Sequence, residues 1–194
     1  MLIRGIIFVL LFVAPDCVIA AKDDSSIKGL SDALVALASS VDRNEAELIA
    51  STVHKTSREL AHEYRVTGPP AFQNFLIHIG VRQRGYCFDF VRDIGARLKE
   101  LKPRTLVLHW GESFANTNQE NNGLVLTARG QRFQDGVVLD AWRHGGRLYW
   151  RSVQADRQNV WKENLHETAL LQSYGSNHKE RLTSAPTLLN EQAR

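Results

Sequence analysis

Apolar residues recur at helical spacing in three stretches of the chain. Ile27, Leu30, Leu34, Leu37 and Val41 form one stripe and predict a first helix. Ala46, Ile49, Val53, Leu60 and Tyr64 form a second, with Ser57 as its weak point. Asp42 followed by Glu45 gives that helix a capping-box-like start, and Gly68-Pro69-Pro70 closes it. A short apolar segment, 71–80 (AFQNFLIHIG), then leads into a basic turn, Arg82-Gln83-Arg84-Gly85. A third helix is predicted from about Cys87 to Lys102, with Cys87, Val91, Ile94, Leu98 and Leu101 on one face. Lys99 and Lys102 suit the negative end of its dipole, and Pro103 stops it.

After Pro103 the apolar period falls to two. Residues 105–110 (TLVLHW), 123–128 (GLVLTA), 137–142 (VVLDAW) and 147–153 (RLYWRSV) read as strands. Arg143-His144-Gly145-Gly146 joins the last two as a hairpin-like turn. Short connections of this kind imply antiparallel pairing. The expected architecture is a single α+β domain over 25–162: N-terminal helices, a cysteine-led helix, and an antiparallel sheet of about four strands. From 163 to 194 a short helical run around Leu165–Leu171 gives way to polar sequence, which predicts a loosely packed or disordered tail.

Composition adds limits. The 194 residues are 43% hydrophobic and 23% charged, the balance of a globular domain large enough to fold without staples. A net charge of +3 with both signs interspersed gives no footprint for nucleic acid. The first twenty residues change the picture more. Arg4 is followed by the apolar run Gly5–Ala14, and small residues precede a cleavage point near Ala20-Ala21. This is the pattern of an export signal, too short to remain as a membrane span, and it predicts a periplasmic or secreted protein. The charged Asp16 directly before Cys17 argues against a lipid anchor there. Loss of the signal removes Cys17 and leaves one thiol, Cys87, in an oxidising compartment.

Cys87 follows a glycine-containing turn and opens a helix, where backbone N–H groups favour a thiolate. A small apolar core residue would fit the same position. The run Gly85-Tyr86-Cys87-Phe88-Asp89-Phe90 resembles the G-x-C-x-D-[FY] opening of transglutaminase-like domains, within the wider papain-like cysteine superfamily. Asn121-Asn122-Gly123-Leu124-Val125 resembles the family's histidine strand, and Val138-Leu139-Asp140-Ala141-Trp142 its aspartate strand. The likeness covers roughly residues 74–153. The stretch from Asn74 through Arg84-Gly85-Tyr86-Cys87 to Leu139-Asp140-Ala141-Trp142-Arg143 is also similar to an uncharacterised group of exported bacterial proteins.

The resemblance implies a cysteine nucleophile at Cys87, an orienting aspartate at Asp140, and a base where this chain has Asn121. A carboxamide cannot titrate near neutral pH, so it cannot take and return the thiol proton. Three explanations are open: a shifted alignment, a substitute histidine, or lost turnover. His109 is the best substitute, although its parity sets it opposite Leu106, Leu108 and Trp110. His144 in the turn is a weaker one, and His78 among apolar neighbours reads as core or interface. Asp140 could instead pair with Arg143 or Arg147, and Gln83 could donate to an oxyanion. Arginines 82, 84, 92, 97, 104, 143, 147 and 151 fall near the expected site and could select an acidic partner. No histidine pair has metal-ligand spacing, and no cofactor is implied. Two functions follow. One is a non-catalytic envelope binding or structural module, with a peptide or cell-envelope component as partner. The other is an active peptidase, amidase or acyltransferase with Cys87 as nucleophile and His109 as base.

Overall fold

A computed structural model describes residues 15–173, with side chains from Asp23 onward. The expected signal falls outside these residues up to Ala14, as do the side chain of Cys17 and the tail beyond Ser173. Among the described residues the architecture is α+β, with five helices and a five-stranded antiparallel sheet. The helices are α1 (Pro15–Val35), α2 (Arg43–Glu63), α3 (Pro70–His78), α4 (Cys87–Glu100) and α5 (Leu165–Ser173). The strands are β1 (Leu106–Ser113), β2 (Asn121–Ala128), β3 (Val137–Asp140), β4 (Tyr149–Ser152) and β5 (Lys162–Glu163), in the order β4-β3-β2-β1-β5. Among the described residues no helix is long and apolar enough to cross a membrane.

Local chemistry explains the helical half. Asp42 caps α2 and accepts from the Glu45 N–H at 2.8 Å. The Glu45 carboxylate does not return to Asp42 to complete a capping box. It crosses to the start of β1 and accepts from the N–H groups of Arg104, Thr105 and Leu106 at 2.8–3.0 Å. One side chain thus ties the helical layer to the sheet. Ser57, the gap in the stripe, is buried because the 143–146 turn packs there. Gly146 has φ +92°, and a Cβ on it would overlap Ala61 and crowd the Ser57 carbonyl.

The sheet has two differently covered faces. Leu106, Leu108, Trp110, Leu124, Leu126, Val137 and Leu139 pack with Phe90, Val91, Ile94 and Leu98 of α4 and with α1 and α2 in the main core. The opposite face carries a smaller core of Val125, Phe133, Val138, Val153 and Trp161, supplied mostly by the chain between strands. Successive strand residues alternate between these faces, and that alternation decides what can meet Cys87.

The sheet has one more strand than the sequence pattern predicts. β5 is only two residues long and polar, and it pairs with Gly111 and Glu112 on the open edge of β1. Beyond it α5 closes the same edge. The Asn164 N–H donates to the Trp110 carbonyl, Thr168 Oγ1 accepts from the Trp110 N–H, and Gln172 Nε2 donates to the Leu108 carbonyl. The expectation of a loose tail from 163 therefore fails for residues 163–173. Their side chains satisfy an edge strand that would otherwise present unpaired backbone, a role that leaves no apolar period in the sequence.

Candidate functional site

The turn before Cys87 is built around Gly85. Its φ is +122°, and the buried Gln73 side chain lies so close that a Cβ would come within 2.7 Å of Gln73 Nε2. Gln73 Nε2 donates to the carbonyls of Tyr64 and Arg84, which fixes the turn against the end of α2. Asp89 Oδ2 accepts from the N–H groups of Gly85 (2.9 Å) and Tyr86 (3.1 Å). The positive end of α4 is therefore already answered by a carboxylate within the same turn. Arg84 and Arg92 flank that carboxylate at 3.5 and 4.0 Å.

Cys87 is buried, with 7% of its surface exposed. Asn122 Nδ2 donates to its sulfur at 3.4 Å, and its thiol points to the Glu120 carbonyl at 3.9 Å. The orientation of the Asn122 carboxamide is fixed, since Oδ1 accepts from Trp110 Nε1 at 2.7 Å and Nδ2 also reaches Glu120 Oε1 at 3.0 Å. Burial pushes the Cys87 thiol up from its ordinary value, and the Asn122 bond offsets only part of this. A shift in that direction favours the protonated thiol over the thiolate. Among the described residues no histidine bonds to the sulfur.

Asn121, one residue away, faces the other side of the sheet. Its Nδ2 donates to Asp140 Oδ2 at 2.8 Å. Asp140 also accepts from Arg143 Nε and the Arg143 N–H, both at 3.0 Å. Arg143 reaches on to Asp156 Oδ2 at 2.7 Å, and Asp156 accepts from Trp161 Nε1 at 2.9 Å. Both carboxylates are fully buried and the guanidinium nearly so. Here Asp140 holds an arginine, not a histidine. This is the ion-pair alternative for Asp140, with Arg143 as the partner.

His109 also lies on that second face. Its Nδ1 bonds Glu163 Oε1 at 2.7 Å and its Nε2 bonds Thr127 Oγ1 at 2.9 Å, with the ring edge-on to Phe133. Both nitrogens are engaged, and they tie β5 to β1 and β2. His109 cannot serve Cys87 from there, so the substitute-base expectation is corrected by strand parity. His144 is exposed in the turn, its ring against Tyr149. His78 is exposed on α3 instead of lying in a core, and Gln83 is exposed in the basic turn.

The structure therefore brings Cys87 together with Asn122, Trp110 and Glu120, which motif spacing missed. It groups Asn121 with Asp140 elsewhere. Beside the thiol a cleft of about 440 Å³ opens between α4, the start of α5 and the 112–122 region. Arg92 and Phe88 form one wall; Glu112, Glu120 and Glu167 supply carboxylates; Asn116, Asn122 and Asn164 supply carboxamides; Trp110 lies among them. Of the eight arginines expected near the site, Arg92 is the one that lines this cleft. Among the described residues no group of histidine, cysteine and carboxylate side chains could hold a metal ion. Compared with protein-family models, with curated proteins and with solved structures, the chain finds no match.

Proposed function

We propose that this chain is an exported, non-catalytic module of transglutaminase-like fold that binds a peptide component of the cell envelope in the cleft beside Cys87. The segment 1–20 supplies the export address, and a cysteine-led helix packed on an antiparallel sheet supports the fold assignment. The observation that carries the reading is the partner of the thiol. Cys87 faces the Asn122 carboxamide, whose two ends are occupied, and its own proton points to a backbone carbonyl. Attack on an amide needs a group that takes this proton and returns it to the leaving amine, and a carboxamide does neither. The cleft, by contrast, offers one guanidinium, three carboxylates and three carboxamides, a set that suits a peptide with charged groups of both signs.

Titration calorimetry of the full chain with a soluble peptidoglycan stem peptide tests this, with mass spectrometry of the peptide afterwards. The expected result is saturable binding with the peptide recovered intact. Glu112→Gln should weaken binding by about tenfold, the loss of one hydrogen bond to a charged group. Absence of binding would overturn the module. Cleaved or transferred product that disappears in Cys87→Ala would overturn the non-catalytic assignment.

A further inference from the structure

The cleft uses one end of α4, while a second feature of the molecule lies apart from it. Helix α3 is apolar but only shallowly buried. Gln73 is its single fully buried residue, whereas Phe72, Phe75 and Ile79 are 45%, 53% and 50% exposed and Val81 just beyond it is 54% exposed. Phe72, Phe75 and Ile79 share one face at three- and four-residue spacing, and the two phenyl rings stack at 6.4 Å. Gln73 pins the other face to the Tyr64 and Arg84 carbonyls, so the apolar face is held outward. A contiguous patch of this kind on a soluble domain marks a surface meant to be covered.

Two further observations say by what. The first is charge. Arg82 Nε donates to the Arg65 carbonyl, which places two arginines together at the edge of the patch. The 143–147 turn abuts this region, since Gly145 lies against Val66 and the Gly68 carbonyl, and it adds exposed Arg147 and His144. His62 and His78 are also exposed here, and Glu63 is the exposed carboxylate among them. Three arginines, Arg65, Arg82 and Arg147, thus outnumber that carboxylate and make the rim of the patch cationic. The second is the path of the chain. The pairs Asp32–Arg43, Ser26–His54 and Asp23–Arg58 step in opposite directions along α1 and α2. Continuing that antiparallel register brings the first turn of α1 level with Tyr64, at the end of α2 from which α3 departs. The apolar run Gly5–Ala14 leads directly into that turn.

We propose that the α3 end of the molecule is a peripheral docking surface for an anionic lipid bilayer. Phe72, Phe75, Ile79 and Val81 enter the acyl boundary, while Arg65, Arg82 and Arg147 meet the phosphate headgroups, the division of labour of an interfacial helix. The same end faces the membrane while the N-terminal run is still attached. After removal of that run, α3 and its arginines hold the domain at the surface on their own.

The test is co-sedimentation of the full chain with vesicles of equal parts phosphatidylglycerol and phosphatidylcholine, against pure phosphatidylcholine. To separate α3 from the N-terminal run, the comparison is made in the full-length I7S/L10S background, where that run is interrupted. This parent should bind anionic vesicles and lose binding as salt is raised. Phe75→Ser should weaken binding on the order of tenfold through lost apolar burial. Arg65→Asn, which suits the positive φ of that residue, should weaken it by about fivefold, the value of one cation at such a surface. Should Phe75→Ser misfold, Arg65→Asn and the salt dependence still decide. Unchanged binding in folded variants would overturn the proposal. So would a parent dimer in sedimentation equilibrium that Phe75→Ser splits without altering vesicle binding, since that assigns the face to a second copy.

Discussion

Asn121 and Asn122 are neighbours on one strand, equally buried, and belong to two different sites. Asn122 points toward α4, where it meets a thiol, an indole and a glutamate in a network that borders an open cleft. Asn121 points to the smaller core, where it joins Asp140, and through it Arg143, Asp156 and Trp161. The first network contains no charge held fully out of water, while the second contains three buried charged groups in mutual contact. The difference teaches what each side is for. A lattice of two carboxylates around a guanidinium fixes the β3–β4 turn and the 153–161 segment, and its charged groups are spent on one another. The open side has room for a ligand, but the side chain that donates to the sulfur, Asn122, does not titrate.

The comparison can be broken by substitution. Asp140→Ala leaves the buried Arg143 with one of its two carboxylate partners and should cost about 3 kcal/mol in urea unfolding. Asn122→Ala removes two neutral bonds and one to the part-exposed Glu120 carboxylate, and should cost about 1.5 kcal/mol. Equal losses, or a larger loss for Asn122→Ala, would erase the distinction. A smaller effect sharpens it through pH. Burial raises the Asp156 pKa, but Arg143 and Trp161 outweigh it and hold the carboxyl below its usual 3.8. A depressed folded value means this stabilisation is complete above the unfolded value and drains away as pH falls through the folded one. Stability should therefore decline below about pH 4, and Asp156→Asn should flatten that limb at the expense of lower stability at neutral pH. An unchanged acid limb in the variant would show that the lattice is not what titrates.

Much of the fold was legible because its burial is periodic. The stripes of α2 and α4 and the alternation in β1 name most of the main core. The helical run at 165–171 was legible too, but its purpose was not, because α5 serves the β1 edge through Thr168 and Gln172. Cys87 at the head of α4 could be read from its turn. Motif spacing points to Asn121 as the partner of Cys87, although Leu124 and Leu126 set the parity that puts Asn122 on the α4 face. Asp140 offered no such clue, since 137–142 is apolar on both faces and carries no alternation. Parity sets His109 opposite Trp110, and the structure puts Trp110, not His109, on the face that meets Cys87.

Cys87 faces Asn122 as an unactivated thiol, and the pH dependence of its alkylation tests this most directly. In the full chain carrying Cys17→Ser, the rate with iodoacetamide should show no inflection below the free-thiol value of about 8.5. Adding Asn122→His should bring an inflection to lower pH, whereas Asn121→His should not, because only Asn122 reaches the sulfur. An inflection below about pH 7 in the Cys17→Ser parent would contradict the account, since it would mean that Cys87 is a poised nucleophile.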